Sequence, residues 1–280
     1  MKVKWILEVG SNHNGSIERI KRFVQDAKEL ECYGIKFQLF NAEKLFHPDH
    51  MPEGTKEREL PREFIPEIQR LCHENKLKFI CTPFDIESAY YLFPYVDIYK
   101  ISSKEILKHD LIAVCAGTGK PIIISTGYAD KHEIQQAIKF CGDNQDITLL
   151  HCITNYPCTV ENCALNRITW LKWEFYKYSI GYSDHSAMES VLYKSINLQS
   201  EVIEFHYDID GHGWESAKGH CWPKQDIQNV IKNISLGEVA YYNNIDNLTW
   251  EMKRLERADK SDGLRPHKEL RHGHSERPTN

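Results

Sequence analysis

The stretch Lys78-Phe-Ile-Cys-Thr-Pro-Phe-Asp-Ile-Glu-Ser-Ala-Tyr-Tyr-Leu-Phe-Pro-Tyr-Val-Asp-Ile-Tyr-Lys-Ile-Ser102 decides the fold. It opens on a short apolar run, Lys78 to Thr82, and closes on another, Asp97 to Ser102. Between them Ile86 to Leu92 reads as a helix. A strand, a helix and a strand in that order predict parallel pairing.

The same beat runs outward in both directions. Upstream lie Trp5-Ile-Leu-Glu-Val9 and Ile35-Lys-Phe-Gln-Leu39; downstream lie Pro121-Ile-Ile-Ile-Ser-Thr126 and Ile147-Thr-Leu-Leu-His-Cys152. Tyr178-Ser-Ile-Gly-Tyr-Ser183 and Glu201-Val-Ile-Glu-Phe-His206 complete the strands. Helices are predicted over 16–32, where Ser16 suits the N-cap, and over 61–74, 108–116, 131–140, 165–173, 187–198 and 224–242. Eight strand–helix units in about 245 residues match a (β/α)8 TIM barrel. An open doubly wound sheet is the alternative, but no GxGxxG follows the first strand. We therefore expect an α/β chain with a single barrel domain over 1–250. Residues 251–280 are expected to form a short, charged C-terminal extension and tail. Asn41 to Glu59 is a long polar connection, read as a lid over the barrel mouth.

Composition narrows the function. The 280 residues are 41% hydrophobic and 27% charged, which excludes disorder and fibrous repeats. Lys and Arg total 35 against 40 Asp and Glu, a net charge of −5, so no basic excess marks a nucleic-acid binder. No apolar run reaches membrane-helix length, and the N-terminus lacks a secretory h-region. The expectation is a cytoplasmic protein with no nucleic-acid or membrane partner. Nine cysteines without CxxC spacing read as reduced thiols, mostly core filler.

In such a barrel the chemistry sits at the C-terminal strand ends. Those ends are dense in polar residues here: Glu8, Lys36, Gln38, Asp85, Lys100, Ser102, Ser103, Ser125, His151, Ser183-Asp-His185, Glu204 and His206. Charges inside apolar runs are costly unless paired or liganded, so they predict a polar pocket. Lys36 and Lys100 suit an anion clamp, a Schiff-base nucleophile or a pair with a carboxylate such as Glu8. Two lysines with Ser103, Ser125 and Ser183 favour the clamp. His185 and His206 end neighbouring strands and suit one divalent metal. Glu8 and Glu105 are the acid–base candidates, each with a salt-bridge role as the alternative. His212, His220 and the tail histidines carry no such placement, although His220 follows a glycine-rich loop within reach of substrate.

These residues fall into motifs that resemble the sialic acid synthase family. They are Glu8-Val-Gly-Ser-Asn-His-Asn-Gly15, Lys36-Phe-Gln38, Thr82-Pro-Phe-Asp85 and Lys100-Ile-Ser-Ser-Lys-Glu105. Ser125-Thr-Gly127, Leu150-His-Cys-Ile-Thr-Asn-Tyr-Pro157, Gly181-Tyr-Ser-Asp-His185 and Glu204-Phe-His206 follow in order. The resemblance implies a barrel enzyme, a C–C bond-forming transferase of nonulosonic acid biosynthesis. Its reaction is metal-dependent condensation of phosphoenolpyruvate with the open-chain aldehyde of a hexose, often N-acetylmannosamine. The products are a 2-keto-3-deoxy acid and phosphate, released by C–O cleavage. By the resemblance Lys36, Lys100, Ser103, Ser125, Thr154 and Ser183 would hold phosphoenolpyruvate. His185 and His206 would bind Mn2+, with Mg2+ or Co2+ as alternatives. Glu8 and Glu105 would manage water and protons, Gln38 and Tyr156 would face the sugar, and a homodimer is expected.

Three departures from the family stand out. Lys104 adds a charge in the motif after Lys100. The family's Gly-Pro-Asp loop is replaced by Asp208-Ile-Asp-Gly-His-Gly-Trp-Glu-Ser-Ala-Lys-Gly-His-Cys-Trp222, in which Asp210, Glu215 and Lys218 become candidate sugar contacts. No counterpart of the C-terminal antifreeze-like domain of longer relatives is expected, and Arg265 is a candidate substitute for the arginine it provides. Competing readings are a metal- or Schiff-base-dependent keto-acid sugar aldolase and a non-catalytic sugar-binding relative. The sequence does not name the acceptor sugar.

Overall fold

The computed structural model describes residues 3–45, 47–143 and 145–237. Eight parallel strands close on themselves in chain order: β1 (Lys4–Glu8), β2 (Gly34–Leu39), β3 (Lys78–Pro83), β4 (Ile98–Ile101), β5 (Ile122–Ser125), β6 (Ile147–His151), β7 (Ser179–Asp184) and β8 (Val202–His206). β8 pairs with β1 to seal the barrel. The (β/α)8 expectation holds.

Helices lie between the strands: α1 (Ile17–Glu29), α2 (Ala42–Leu45), α3 (Ile65–Glu74), α4 (Ile86–Leu92), α5 (His109–Ala116), α6 (Lys131–Cys141), α7 (Asn166–Glu174), α8 (Glu189–Asn197) and α9 (Lys224–Ser235). Local chemistry sets their starts. Ser16, Asp85 and Asp130 each accept a backbone N–H of the first turn, and Glu133 completes a capping box with Asp130. Asp85, expected among the pocket residues, is thus occupied as the cap of α4. The helix predicted from Pro61 begins instead at Ile65, after a 3-10 turn over Arg62–Phe64. Pro66 has no N–H and tolerates only the first turn of a helix. The end of the helix predicted to 242 and residues 251–280, including Arg265, lie outside the described residues.

Strand register fixes what the barrel encloses. In a parallel sheet, partner residues share a face and successive residues alternate. Ile6, Ile80, Ile98, Ile123, Leu150 and Val202 come from six strands and pack together as an inner apolar layer. Two residues further along those strands stand Glu8, Thr82, Lys100, Ser125 and Glu204, so the same inner face turns polar toward the strand ends. The opposite faces form the larger core against the helices, including Leu7, Phe37, Phe79, Tyr99, Ile124, Leu149, Tyr182 and Phe205. Gly181 faces inward where a Cβ would lie 2.1 Å from the Val202 carbonyl oxygen, so only glycine fits.

Register also removes two expected pocket residues. His151 pairs with Tyr182 on the outer face, and its Nε2 lies 2.8 Å from the Cys163 carbonyl oxygen. Asp184 is aligned with Phe205 and accepts hydrogen bonds from Trp222 Nε1, Ser186 and Ala187. Both hold loops in place. All nine cysteines are free, and eight of them are buried, as expected for core thiols.

Candidate active site

Four charged side chains occupy the upper interior. Lys36 Nζ lies 3.2 Å from Glu8 Oε2 and 3.3 Å from Glu204 Oε1. Lys100 Nζ donates to Ser125 Oγ at 2.7 Å and to the Ile101 carbonyl. Gln38 Nε2 donates to Glu8 Oε1 at 2.6 Å, and Ser183 Oγ donates to Glu204 Oε1 at 2.8 Å. All four charged groups are buried. Two carboxylates against two ammoniums leave this layer formally neutral. Glu204 Oε2 is buried without a hydrogen-bond donor, which marks it for a partner such as water or substrate.

Burial and charge act on these groups in opposite directions. Burial disfavours the Lys36 ammonium, but Glu204 and Glu8 outweigh it and hold its pKa above the ordinary range. Lys100 is pulled below its ordinary value by burial, only partly countered by Glu204. Burial raises Glu8, against the pull of Lys36 and His206. Glu204 goes the other way: the two lysines, Lys100 first, overcome its burial and hold it low.

A second cluster sits where β7 and β8 end. The rings of His185 and His206 have centroids 5.2 Å apart, and those of His206 and His220 4.7 Å. Tyr156, 39% exposed, lies across all three, 4.1 Å from His185, 5.0 Å from His220 and 5.8 Å from His206. His185 Nδ1 meets the Ile153 carbonyl at 2.5 Å. Glu215 Oε2 lies 2.8 Å from His206 Nδ1 and 3.5 Å from His220 Nε2. Burial pushes the pKa of His185 and of His220 down, whereas Glu215 raises that of His206 against its burial.

His220 is the residue that sequence reasoning passed over. The segment 208–222 leaves β8 and returns beside it: Trp222 N donates to the His206 carbonyl, and Tyr207 bridges Trp222. That return delivers His220 to His206. The Ser11–Gly15 motif holds the loop there. Ser11 N donates to Glu215 Oε1, Asn12 Oδ1 accepts Glu215 N, and Asn14 bonds the backbone of His212 and Trp214. Gly10 and Gly213 make the fit, since a Cβ at either would lie within 2.3 Å of a Glu215 or Asn12 oxygen.

The remaining expected residues are placed as follows. Glu215 meets the histidines His206 and His220. Asp210 takes both carboxylate oxygens to Arg19 Nη1 and a third contact to Arg22, so it fastens the loop to α1. Lys218 is exposed at the end of a short 3-10 turn. Glu105 is buried beside Ser102 and Lys108, with its pKa raised by burial. Ser103 is half-buried against Gly127, and Thr154 is half-buried with a hydrogen bond to Tyr128. The 41–59 connection reaches the 208–222 loop, with the Arg58 guanidinium 5.0 Å over the Trp214 ring.

A closed parallel barrel with charged groups and histidines gathered at its strand ends defines a (β/α)8 protein of the enzyme-bearing kind. The sequence model of the NeuB family matches residues 23–245, and the chain belongs to that family. The N,N'-diacetyllegionaminic acid synthase of Legionella pneumophila is 32% identical over 261 residues, 84% of this chain and 72% of the relative. The pseudaminic acid synthase of Helicobacter pylori is 29% identical, over 74% of this chain and 66% of the relative. The N-acetylneuraminic acid synthetase of Leptospira borgpetersenii, solved with citrate, superposes with a TM-score of 0.78 at 25% identity, covering 96% of this chain and 89% of that one. Among the described residues no helix is long and apolar enough to cross a membrane.

Proposed function

We propose that this chain is a sugar-acid synthase that condenses phosphoenolpyruvate with the open-chain aldehyde of a hexose related to N-acetylmannosamine. The observation that carries the reading is the pair of buried ammoniums, Lys36 and Lys100, at the strand ends of a NeuB-family barrel. Lys100 with Ser125, and Lys36 with Ser183 nearby on Glu204, supply donors for a phosphate and a carboxylate. C3 of phosphoenolpyruvate attacks the aldehyde carbon, and the aldehyde oxygen takes a proton. Water adds at C2, loses a proton, and the tetrahedral intermediate expels phosphate by cleaving the C–O bond. Glu8 is the group for this water: it is buried, and burial raises its pKa. The lysines stabilise the phosphate's charge through the addition step. Gln38 fixes the Glu8 carboxylate.

The imidazoles and the Glu215 carboxylate at the ends of β7 and β8 fit a divalent metal such as Mn2+, and the orphaned His220 Nδ1 supports that fit. His206 and its neighbours would hold the ion, which when bound would polarise the aldehyde oxygen.

The test is phosphate release from phosphoenolpyruvate with Mn2+ across N-acetylhexosamines, neutral hexoses and their 6-phosphates, with an EDTA-treated set alongside. Sugar-dependent, EDTA-sensitive release supports the reading and names the acceptor class. Cleavage of a keto-acid sugar without use of phosphoenolpyruvate would replace it with the aldolase reading.

A further inference from the structure

We infer that His206, Glu215 and His220 form a three-ligand divalent-cation site, with the 208–222 loop supplying two of the three ligands. One donor atom from each residue lies within 4.8 Å of the other two, and among the described residues this is the one such group of three. Both imidazoles converge on a single oxygen, Glu215 Oε2, at 2.8 and 3.5 Å. His220 is only 1% exposed, and its Nδ1 is buried without a hydrogen-bond partner. A buried imidazole held beside a carboxylate and a second imidazole is the donor set of divalent transition-metal sites, two histidines and one carboxylate.

The carboxylate is also pre-positioned. Ser11 N holds Glu215 Oε1 at 2.9 Å, Asn12 Oδ1 holds the Glu215 backbone N–H at 2.7 Å, and Gly10 leaves the space that a Cβ would close. Arg19 ties the start of the loop to α1 through Asp208 and Asp210. Such outer contacts set the orientation of the groups that hold a metal. His185, on β7, has its ring centroid 5.2 Å from that of His206 and its Nδ1 on the Ile153 carbonyl. The loop that replaces the sugar-contacting segment of relatives thereby serves the cation.

The role of the ion rests on the synthase reading, but its binding does not, so the experiment is done without substrate. Mn2+ titrations of the full chain, followed by the free-ion electron paramagnetic resonance signal, compare wild type with Glu215→Gln, His220→Ala and the exposed-loop control His212→Ala. Pulsed resonance on the bound ion counts imidazole nitrogens, and circular dichroism checks folding. Expected are a tenfold or greater loss of affinity in Glu215→Gln and His220→Ala, one imidazole fewer in His220→Ala, and no change in His212→Ala. Wild-type affinity and imidazole count in His220→Ala, with fold intact, would overturn the triad. If Mn2+ binds as expected yet no sugar triggers phosphate release, the synthase reading fails and the site stands.

Discussion

Lys36 Nζ lies 3.3 Å from Glu204 Oε1, joining β2 to β8 across the position of β1 inside the barrel. Ser183 Oγ donates to the same oxygen, and Glu8 flanks the lysine from the other side. Neutralising Glu204 leaves two buried ammoniums facing one carboxylate. Breaking a buried ion pair from one side typically costs about 3–5 kcal/mol. Glu204→Gln is expected to lose stability on that scale in urea unfolding at pH 7. A midpoint equal to wild type would show that the interior charges are solvated independently.

Lys100 should act on substrate before it acts on folding. Its ammonium is already pulled toward neutrality by burial, and Ser125 is its side-chain partner. Lys100→Met is expected to lower kcat/KM for phosphoenolpyruvate at least a hundredfold. Ser125→Ala should lower it by about tenfold, the scale of one hydrogen bond to a charged group. Equal effects from the two variants would argue against the lysine as the main anion contact.

Glu8→Gln separates chemistry from binding. A positioned acid–base group contributes about 10²–10⁴-fold. The variant is expected to lose kcat in that range while the KM for phosphoenolpyruvate changes little. A rise in KM at constant kcat would instead assign Glu8 to holding Lys36.

Arg19 should control the order of the 208–222 loop. Its guanidinium accepts no substitute, since it bonds Asp208, Asp210 and the Asn12 carbonyl at once. Arg19→Ala is expected to speed hydrogen exchange across 208–222 while leaving β1–β7 protected. Unchanged exchange in that loop would mean that Asn12 and Asn14 suffice to hold it.

His151 predicts an acid-sensitive fold. Burial lowers its pKa from 6.5 to about 3, so the folded protein keeps the ring neutral where the unfolded chain protonates it. The unfolded state then binds more protons between pH 6.5 and 3, and stability falls as pH falls through that window. The slope from one such group is about 1.4 kcal/mol per pH unit. Urea unfolding at pH 7, 6 and 5 should show a shallower decline for His151→Gln than for wild type. Parallel declines would assign the acid sensitivity elsewhere.

Much of this was legible in the chain. Short β-branched runs alternating with amphipathic stretches mark eight units, and Ser16 sits where the first turn of α1 needs an acceptor. Polar residues inside apolar runs, Glu8, Lys36, Lys100 and Glu204, announced a polar interior because burying them singly is costly. The start of α3 at Ile65 lies four residues beyond the expected one, where Pro66 fits the first turn.

The faces of the strands were not legible in the same way. Barrel strands are buried on both sides, so inward and outward residues read alike. Only closure and register sent His151 and Asp184 outward, to serve loops, while Ser183 and Glu204 turned inward together. Likewise His220 and Glu215 lie in an irregular loop, whose residues carry no period to reveal their direction. The sequence by itself determined the barrel and the residue types at its mouth, because local propensity and periodicity act over a few residues. The tertiary structure decided which charges neutralise one another and which histidines meet, because those depend on contacts between segments far apart in the chain.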